Sequence, residues 1–342
     1  MTTPARTATV LTLLAVALAL ATVVATGMGY IEIGPAEVVR SIAAAVSGDG
    51  SLVAGLDRVV PLVVVDVRLP RILCAVAVGG GLAVAGVAYQ GILLNPLADP
   101  YTLGVSGGAA FGAALAFLLG LGSGVVFSVP LFAFAGALAA LFVVLYLSTF
   151  DGRMQPATLI LAGVIVGAIL AAGISFLKYL ADEQVSVIIF WLMGSFASRT
   201  WPQAAMAWAA AIAGTAVIVY YGRDLNILAL GNRAAASLGV EAVRLRRVLL
   251  VSASLVAAVC VSISGIIGFV GLIVPHLMRF LVGPENRRLA LASFLAGGLL
   301  LLAADTVSRA LLPREVPVGV LTALLGGPYF CYLFRRRGSW HG

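Results

Sequence analysis

Apolar runs recur from one end of the chain to the other. Five of the longest contain no charged residue, and they cover residues 10–26, 72–94, 159–177, 248–262 and 289–304. Each approaches or exceeds the roughly 20 residues that carry an α-helix across about 30 Å of hydrocarbon. The pattern therefore predicts an integral membrane protein with several spans.

The spacing of these runs predicts ten helices. Their predicted bounds are 9–27, 70–93, 101–120, 125–149, 156–179, 203–221, 246–264, 267–283, 289–310 and 317–334. The third and the eighth are short or interrupted by glycine, so a count of nine or eleven also fits. We expect an all-α fold, a polytopic transmembrane helical bundle in one domain over residues 1–342, because no hydrophilic stretch is long enough to form another domain. The first run resembles a signal peptide, but Gly27–Gly29 is a poor cleavage site, so we expect an uncleaved helix.

Composition and charge placement agree with this picture. Hydrophobic residues make up 62% of the 342 positions and charged residues 10%, which is far too few charges for the surface of a soluble protein. If the N-terminus is cytoplasmic, thirteen of the 21 basic residues fall in cytoplasmic loops and eight outside. Basic residues favour the cytoplasmic side, so both termini are expected there. The formal net charge of +7 then reflects membrane topology, and we expect no nucleic-acid partner.

Small residues recur at helix-packing intervals in several predicted spans. They are Gly79–Gly81, Gly108-x3-Gly112 and Gly163-x3-Gly167-x3-Ala171. Small side chains on one face let helix backbones approach closely inside a membrane. The same stripes would also suit helices that slide past each other, and the sequence does not separate these two readings.

The chain lacks the sequence features of several catalytic classes. It has no Gly-Lys-Ser/Thr loop to hold nucleotide phosphates, so any ATP and Mg²⁺ would be bound by a separate ATPase, and we expect this chain to bind no cofactor. Cys74, Cys260 and Cys331 form no CxxC pair and are read as packing residues. An intramembrane serine enzyme built on Ser106 and His276 has no further support. We therefore expect no metal site, no catalytic residue and no enzyme activity.

Two polar segments remain to be explained. Residues 231–247 are expected to form a short helix over Ala234–Leu238, a stop at Gly239 and a second helix from about Val240, with arginines exposed at 233, 244 and 246. This loop could lie at anionic headgroups or bind a cytoplasmic partner. The second segment, Arg68-Leu-Pro-Arg71, could pair with Asp66, with lipid phosphate or with a partner's carboxylates.

These segments belong to a longer series of motifs that resembles the FecCD-type permeases of ABC importers. The series is Arg68-Leu-Pro-Arg71, Asn95-Pro-Leu-Ala-Asp-Pro100, Leu103-Gly-Val-Ser-Gly-Gly108, Leu225-Asn-Ile-Leu-Ala-Leu-Gly231, Ser237-Leu-Gly-Val240, Gly265-x2-Gly-Phe-Val-Gly-Leu-Ile-Val-Pro-His276 and Pro317-Val-Gly-Val-Leu-Thr322. The resemblance covers residues 5 to 337 in the expected order. It implies the type II ABC importer permease fold and import of iron–siderophore chelates, haem or cobalamin.

The resemblance also implies roles for particular residues. Arg68, Arg71 and Arg309 would pair with glutamates of a substrate-binding protein. A cytoplasmic coupling loop over residues 223–247 would contact the ATPase through Ala234, Ala235, Ala236, Ser237, Leu238, Gly239, Val240 and Arg244. A cytoplasmic gate would comprise Asn95 and Leu97 together with Gln155, Pro156, Ala157 and Thr158. The last four depart from the small hydroxyl residues that family members often carry there.

The resemblance implies a homodimer in a bacterial or archaeal inner membrane, with the transport pathway on the dimer axis. Its expected partners are two copies of a cytoplasmic ABC ATPase, a periplasmic or lipid-anchored substrate-binding protein, and membrane lipid. The expected function is ATP-driven import of a bulky metal chelate, with ferric siderophore ranked ahead of cobalamin and haem. The alternative is a secondary transporter or exporter without an ATPase. Such transporters usually carry acidic residues in their spans, whereas here only Asp305 is a candidate, near the end of its helix.

Overall fold

The computed structural model describes residues 4–121, 127–150 and 153–338. The predicted start of the fourth span at residue 125, and His341, lie outside these residues. Within the described part the chain forms fifteen α-helices and one pair of two-residue antiparallel strands, β1 (Thr149–Phe150) and β2 (Arg153–Met154). The helices are α1 Pro4–Gly27, α2 Pro35–Ser47, α3 Val59–Leu62, α4 Leu69–Ile92, α5 Val105–Leu118, α6 Ser128–Ser148, α7 Pro156–Leu180, α8 Val185–Leu192, α9 Trp201–Tyr220, α10 Gly222–Leu228, α11 Asn232–Ser237, α12 Ala242–Ser264, α13 Val270–Val282, α14 Asn286–Ala310 and α15 Val318–Gly338.

Ten of these helices correspond to the ten predicted spans. Seven apolar helical stretches of the described chain are long enough to cross a membrane, namely Ala5–Gly27, Val59–Ile92, Ser128–Ser148, Pro156–Leu180, Trp201–Tyr220, Ala242–Ser264 and Asn286–Ala310. Three shorter apolar helices, α5, α13 and α15, match the third, eighth and tenth predicted spans. The prediction of an all-helical membrane bundle is therefore confirmed.

The second span differs most from its predicted bounds. The sequence predicts a start at residue 70, whereas the helix begins at Val59 and runs for 34 residues to Ile92. Pro70 lies inside it, two residues after the end of a π-helical stretch over Val63–Arg68. A proline within a helix lacks an N–H group and its ring crowds the preceding turn. The wider π turn accommodates the ring without ending the helix.

Three further helices were not predicted from the sequence. The helix α2 is amphipathic, with Val38 and Ser41 buried against the end of α1. Two others, α8 and α10, have only eight and seven residues. Helices of this length are marginal in isolation and depend on tertiary packing, so the apolar pattern alone does not distinguish them from loop.

The short helix in the polar 231–247 loop was predicted and is present. The helix α11 ends at Ser237, and Gly239 adopts a φ of +79° that favours glycine. The next helix, α12, begins at Ala242. The predicted sequence of helix, glycine stop and second helix is therefore confirmed.

The centre of the bundle is α4, whose apolar stretch is almost entirely buried. It packs on α14 where Gly79 meets Gly297, and on α13 where Gly86 meets Gly271. A side-chain carbon at Gly86 would overlap the carbonyl oxygen of Gly271. The predicted role of these small residues in close helix packing is thus confirmed in α4, and close packing is what holds helices together inside a membrane.

The other predicted glycine motifs behave in two ways. Gly108 and Gly112 of α5 lie against the backbone of α6, at Gly136 and Phe132. Gly163 of α7 lies against the backbone at Thr102 and Leu103, whereas nothing in the described chain lies within 4 Å of where a side chain at Gly167 would start. Cys74 and Cys260 are buried, as expected for packing residues, whereas Cys331 is exposed.

Candidate functional site

The polar residues of the bundle collect at its two ends, which α4 connects. We call one the Arg71 end, where α4 begins beside the last turns of α1 and α14, and the other the Gln155 end, where α7, α11 and α12 begin. Arg71 is hydrogen-bonded to Asp305 of α14 at the first end. At the second, Arg246 of α12 donates to the carbonyl oxygen of Met154, next to Gln155.

Arg71 is held by two carboxylates. Its Nε and Nη2 atoms both donate to Oδ1 of Asp305, at 3.0 and 2.9 Å. Its Nη1 atom donates to Oε1 of Glu315 at 2.9 Å. The Asp305 side chain is fully buried, whereas that of Glu315 is 49% exposed. The guanidinium fork thus joins an internal carboxylate to one that solvent or a partner can reach.

Arg68 is buried and binds backbone rather than carboxylate. Its Nη1 atom donates to the carbonyl oxygens of Thr26 and Gly27 at 2.8 and 2.9 Å, and its Nη2 atom donates to that of Ile31 at 2.5 Å. Helix ends leave carbonyl groups without intrahelical partners. Arg68 therefore satisfies the carbonyls where α1 ends.

Arg309 performs a similar function from α14. It donates to the carbonyl oxygens of Ala25 and Met28. Its Nε atom also lies 3.5 Å from Oδ2 of Asp305. Asp305 is thus the shared counter-ion of two buried arginines, and the whole group ties the end of α1 to α4 and α14.

The cluster alters how Arg68, Arg71 and Arg309 are understood. The three residues predicted from the resemblance do lie together, but all three are largely buried and already bonded within the chain. The suggested pairing with Asp66 is wrong, because Asp66 is exposed and the carboxylates that contact Arg71 are those of Asp305 and Glu315. Contact with a binding protein stays a prediction.

In the last turn of α4, Gln90 joins this helix to α13. Its Nε2 atom donates to the carbonyl oxygens of Gly271 and Leu272, at 3.3 and 3.2 Å. Pro275 has no N–H group, so the Gly271 carbonyl lacks its usual partner four residues on. The Oε1 atom of Gln90 accepts a hydrogen bond from Arg279 at 3.1 Å. One buried amide thus joins α4 to the proline turn of α13.

The turn that follows α4 carries the first predicted gate segment. The Asn95 backbone N–H donates to the carbonyl oxygen of Gln90, and the Asn95 side chain accepts from the N–H of Leu97 at 2.9 Å. Leu94 has a φ of +49° in the same turn. The segment is therefore a compact turn that ends α4 and is connected through the backbone to Gln90.

Asp99 closes this turn. Its Oδ1 atom accepts from the N–H groups of Tyr101 and Thr102, at 2.9 and 3.1 Å. The carboxyl group is almost completely buried, and this burial raises its pKa to about 6, although the two hydrogen bonds act in the opposite direction. Asp99 is thus a buried acid beside the predicted gate that titrates near neutral pH.

The second predicted gate segment forms the start of α7. Gln155 precedes the helix with extended backbone, Pro156 occupies its first position, and the Leu159 N–H donates to the carbonyl oxygen of Gln155. Proline suits this position because the first N–H groups of a helix have no intrahelical partner. The side chains of Gln155 and Ala157 are exposed and those of Pro156 and Thr158 are half-buried.

The predicted coupling residues lie in α11, in the turn after it and at the start of α12. Ala235 is buried, and its carbonyl oxygen accepts from the N–H of Val240 at 2.9 Å, which folds the glycine turn back onto the helix. Leu238 is 59% exposed at the tip. Two of the other members are half-buried, Ala234 and Val240. The remaining four are exposed: Ala236, Ser237, Gly239 and Arg244. Contact of these residues with an ATPase stays a prediction.

The burial of Arg246 was not predicted from the sequence. The pattern expects an exposed arginine, but the residue is only 3% exposed. Its Nη2 atom donates to Oδ1 of Asn232 at 2.8 Å and its Nη1 atom to the carbonyl oxygen of Met154 at 3.4 Å. The expectation failed because α11 and the β2 strand fold over the first turn of α12. Gln90, Glu315 and Asn232 were also missed, since an isolated polar residue carries no sequence signal of its partner.

Comparison with known proteins agrees with this arrangement. Residues 13–336 match the FecCD transport family. The chain belongs to that family. Its curated relatives include the cobalamin import system permease protein BtuC of Halobacterium salinarum, which is 45% identical over 83% of this chain and 76% of its own length. The Fe(3+)-citrate import system permease protein YfmE of Bacillus subtilis is 36% identical over 94% and 93% of the two chains. The molybdate import system permease protein MolB of Haemophilus influenzae is 41% identical over 83% and 85%.

A solved structure is similar to this chain over almost its whole length. It is described as an inward-facing conformation of a metal-chelate type ABC transporter, and it matches with a TM-score of 0.83 and 33% sequence identity. The match covers 96% of this chain and 99% of the other. The bundle therefore has the architecture of an ABC importer permease, which is a multi-pass protein of the cell membrane.

Proposed function

We propose that this chain is the membrane permease subunit of an ATP-driven ABC importer for a bulky metal chelate. It works with a separate ATPase and a substrate-binding protein. The observation that carries the proposal is the separation of two kinds of surface along one buried helix. The arginine–carboxylate cluster lies at the Arg71 end of α4, and the turn at Leu238 lies at the opposite end of the bundle.

The Gln155 end is proposed to be cytoplasmic and to bind the ATPase. Support comes from the positive-inside bias and from Leu238, an exposed apolar side chain on a fixed turn. Two ATPase copies and a homodimer of this chain follow from the family resemblance. ATP and Mg²⁺ are proposed to bind the ATPase, with this chain holding no cofactor and performing no hydrolysis.

The Arg71 end is proposed to be the outer face and to bind the substrate-binding protein. The structure supports a specific form of this contact at Glu315. That side chain is 49% exposed, and its Oε1 atom accepts a hydrogen bond from Nη1 of Arg71. A carboxylate of the binding protein would compete with Glu315 for this atom while Asp305 keeps the rest of the guanidinium in place.

Movement between the two ends is proposed to pass through α4 and its turn. The Gln90 side chain connects α4 to the carbonyl of Gly271 in α13, and the backbone carbonyl oxygen of Gln90 accepts from the N–H of Asn95 in the proposed gate. ATP binding would favour one arrangement of these helices and the binding protein another. Each ligand shifts the balance only through its different affinity for the two arrangements.

The cargo is proposed to be a ferric siderophore or cobalamin, with haem as a third chelate. Cobalamin gains support from the 45% identical relative named for its import, and an iron chelate from the 36% identical relative named for Fe(3+)-citrate. The relative named for molybdate import is 41% identical. Overall identity therefore does not separate a chelate from an oxyanion, and molybdate belongs in the test.

The proposal is tested by uptake into proteoliposomes. The chain is reconstituted with the ATPase and binding protein encoded beside it, and labelled cobalamin, ferric siderophore, haem and molybdate are supplied separately. Saturable uptake of one of them that requires ATP hydrolysis is the expected result. A matched control carries an ATPase that binds but does not hydrolyse ATP.

Two outcomes would count against the proposal in different ways. Uptake that follows an ion gradient without ATP would establish the alternative, a secondary transporter. A complex that hydrolyses ATP and binds its partners but transports none of the four compounds would keep the subunit assignment and exclude the proposed cargo.

A further inference from the structure

A cavity of about 810 Å³ opens at the Gln155 end of the bundle. It lies between α11, the first two turns of α12 and the residues that precede α7. The lining includes Met154, Asn232, Glu241 and three arginines, Arg244, Arg246 and Arg247. The volume falls within the range of about 300–1,000 Å³ that is usual for small-molecule sites.

The cavity is positively charged. Three arginines and one glutamate line it, which leaves an excess of two positive charges. Arg244 and Arg247 are exposed at its rim, whereas Arg246 is buried. An anion that entered would therefore meet two exposed cations first and a buried cation inside.

Arg246 is the unusual member of this group. It is 3% exposed, and none of the described carboxylates lies within 4 Å of it. Its two terminal nitrogens bind neutral oxygens, those of Met154 and Asn232. Its Nε atom is buried and has no hydrogen-bond partner among the described residues. A buried charge is costly unless it is paired, so this guanidinium is suited to binding an anion supplied from outside the described chain.

We propose that this cavity binds a phosphate group, with Arg246 as its buried anchor and Arg247 at the rim. Phosphate suits the site because its several oxygens can accept from more than one arginine at once. The volume exceeds what a single carboxylate side chain of a partner would fill. The site also lies at the start of the membrane-spanning helix α12, where lipid headgroups lie.

Two sources could supply such a phosphate. One is the headgroup of an anionic phospholipid, which basic pockets between membrane helices are known to bind. The other is a soluble phosphate compound. The cavity lies beside Gln155 of the proposed gate and beside α11 of the proposed coupling loop, so either ligand would contact both segments.

The test uses the purified full-length chain in a neutral detergent, without ATPase or binding protein, so its result does not depend on the proposed function. The permease is titrated with dioctanoyl phosphatidylglycerol, with dioctanoyl phosphatidylcholine, with sn-glycerol 3-phosphate and with inorganic phosphate. Binding is measured by native mass spectrometry and by the thermal unfolding midpoint.

The expected result is saturable binding of phosphatidylglycerol, of the soluble phosphates, or of both, with phosphatidylcholine at least about tenfold weaker because it carries no net charge. Binding of phosphatidylglycerol alone identifies the headgroup as the source. Binding of the soluble compounds identifies a soluble ligand for the same site.

Matched variants separate this site from general attraction to a basic surface. Arg246→Gln is expected to weaken binding at least about tenfold, because it removes a charge-assisted hydrogen bond. Arg233→Gln removes the same charge from α11 at an exposed position outside the cavity lining, and is expected to change binding less than twofold. If Arg246→Gln does not fold, Arg247→Gln at the exposed rim replaces it, with an expected loss of about threefold or more.

Three results would overturn the proposal. One is no saturable binding of any phosphate ligand, and another is an equal effect of Arg246→Gln and Arg233→Gln. The third concerns Asp151, a carboxylate three positions before Met154 and outside the described residues. Asp151→Asn is expected to leave phosphate binding unchanged or to strengthen it, so a loss of binding in that variant would contradict the proposal. A cavity that takes no phosphate but whose Arg246→Gln variant loses the ATPase would instead receive an acidic side chain of that partner.

Discussion

The side-chain amide of Gln90 replaces a hydrogen bond that Pro275 cannot make. Pro275 leaves the carbonyl of Gly271 without a helix partner, and Nε2 of Gln90 donates to it across the α4–α13 interface. At the same place Gly86 and Gly271 bring the two backbones into contact. A proline turn in one helix is thus stabilised by a polar side chain from its neighbour.

Gln90→Leu is expected to lower the free energy of unfolding by about 0.6–2 kcal/mol, because interhelical hydrogen bonds in membranes have that size. Denaturant unfolding in detergent measures the loss. Gln184→Leu changes the same residue type at an exposed position and is expected to be neutral. Equal stability of wild type and Gln90→Leu would show that the Gly271 carbonyl finds another donor.

Asp305→Asn is expected to be more damaging than the loss of a surface charge. It leaves Arg71 and Arg309 buried without their shared counter-ion, and breaking a buried ion pair costs about 3–5 kcal/mol. Asp66→Asn removes an exposed carboxylate at the same end and serves as the matched control. Adding Arg71→Gln to Asp305→Asn should restore part of the stability, and a double variant less stable than both single variants would contradict the pairing.

Glu315→Gln is expected to tighten binding of the substrate-binding protein by about two- to fivefold, because an exposed ion pair is worth about 0.2–1 kcal/mol. The change replaces the Glu315 carboxylate at Nη1 of Arg71 with a neutral amide, which competes less strongly with a carboxylate of the partner. Surface plasmon resonance with the reconstituted permease measures the affinity. Glu32→Gln removes an equal charge from an exposed site and controls for the overall electrostatic change. Weaker binding in Glu315→Gln would mean that Glu315 itself contacts the partner.

Leu238→Asp is expected to weaken binding of the ATPase by about tenfold or more, because it would bury an unpaired carboxylate in the proposed interface. Leu238 is exposed, so the permease itself should fold normally. Co-purification and the transport-coupled ATPase rate provide the measurements. Leu311→Asp, at a 63% exposed leucine near the other end, is expected to leave co-purification of the ATPase unchanged. Full ATPase binding by Leu238→Asp would remove α11 from the proposed interface.

Asp99 is expected to make the stability of the protein depend on pH. Its folded pKa of about 6 lies above the ordinary value of 3.8, so the folded state holds the proton more tightly than the unfolded state. Stability from this group is therefore greatest at low pH and is lost as pH rises from about 4 to 6, by up to about 1.4 kcal/mol for each pH unit.

Asp99→Asn keeps an oxygen that can accept from Tyr101 and Thr102 but does not titrate. The difference in unfolding free energy between wild type and Asp99→Asn should favour wild type more at pH 5 than at pH 7, and should level off above about pH 7. Taking this difference removes the contribution of other acids. A difference that is constant from pH 5 to 8 would show that Asp99 does not titrate in this range.

The sequence by itself determined the membrane class, the ten predicted apolar helices and the order in which they follow one another. Uninterrupted apolar runs fix these features, because a backbone in hydrocarbon must satisfy its own hydrogen bonds and a helix does so locally. The end of α11 at Gly239 could also be predicted from the sequence, because the observed φ of +79° favours a residue without a side chain. The motifs at Arg68, Asn95 and Ser237 also carried the family, which the comparisons confirmed.

Only the tertiary structure decided how the polar residues are paired. Arg71 and Asp305 are 234 positions apart, and Gln90 and Gly271 are 181 positions apart. No local pattern connects such residues, because their partners depend on which helices pack together and at what height. The burial of Arg246 has the same cause, since the sequence shows an amphipathic start to α12 but not the segments that cover it. Local hydrogen bonding determined the helices, whereas packing between distant helices determined which of their few charges are buried.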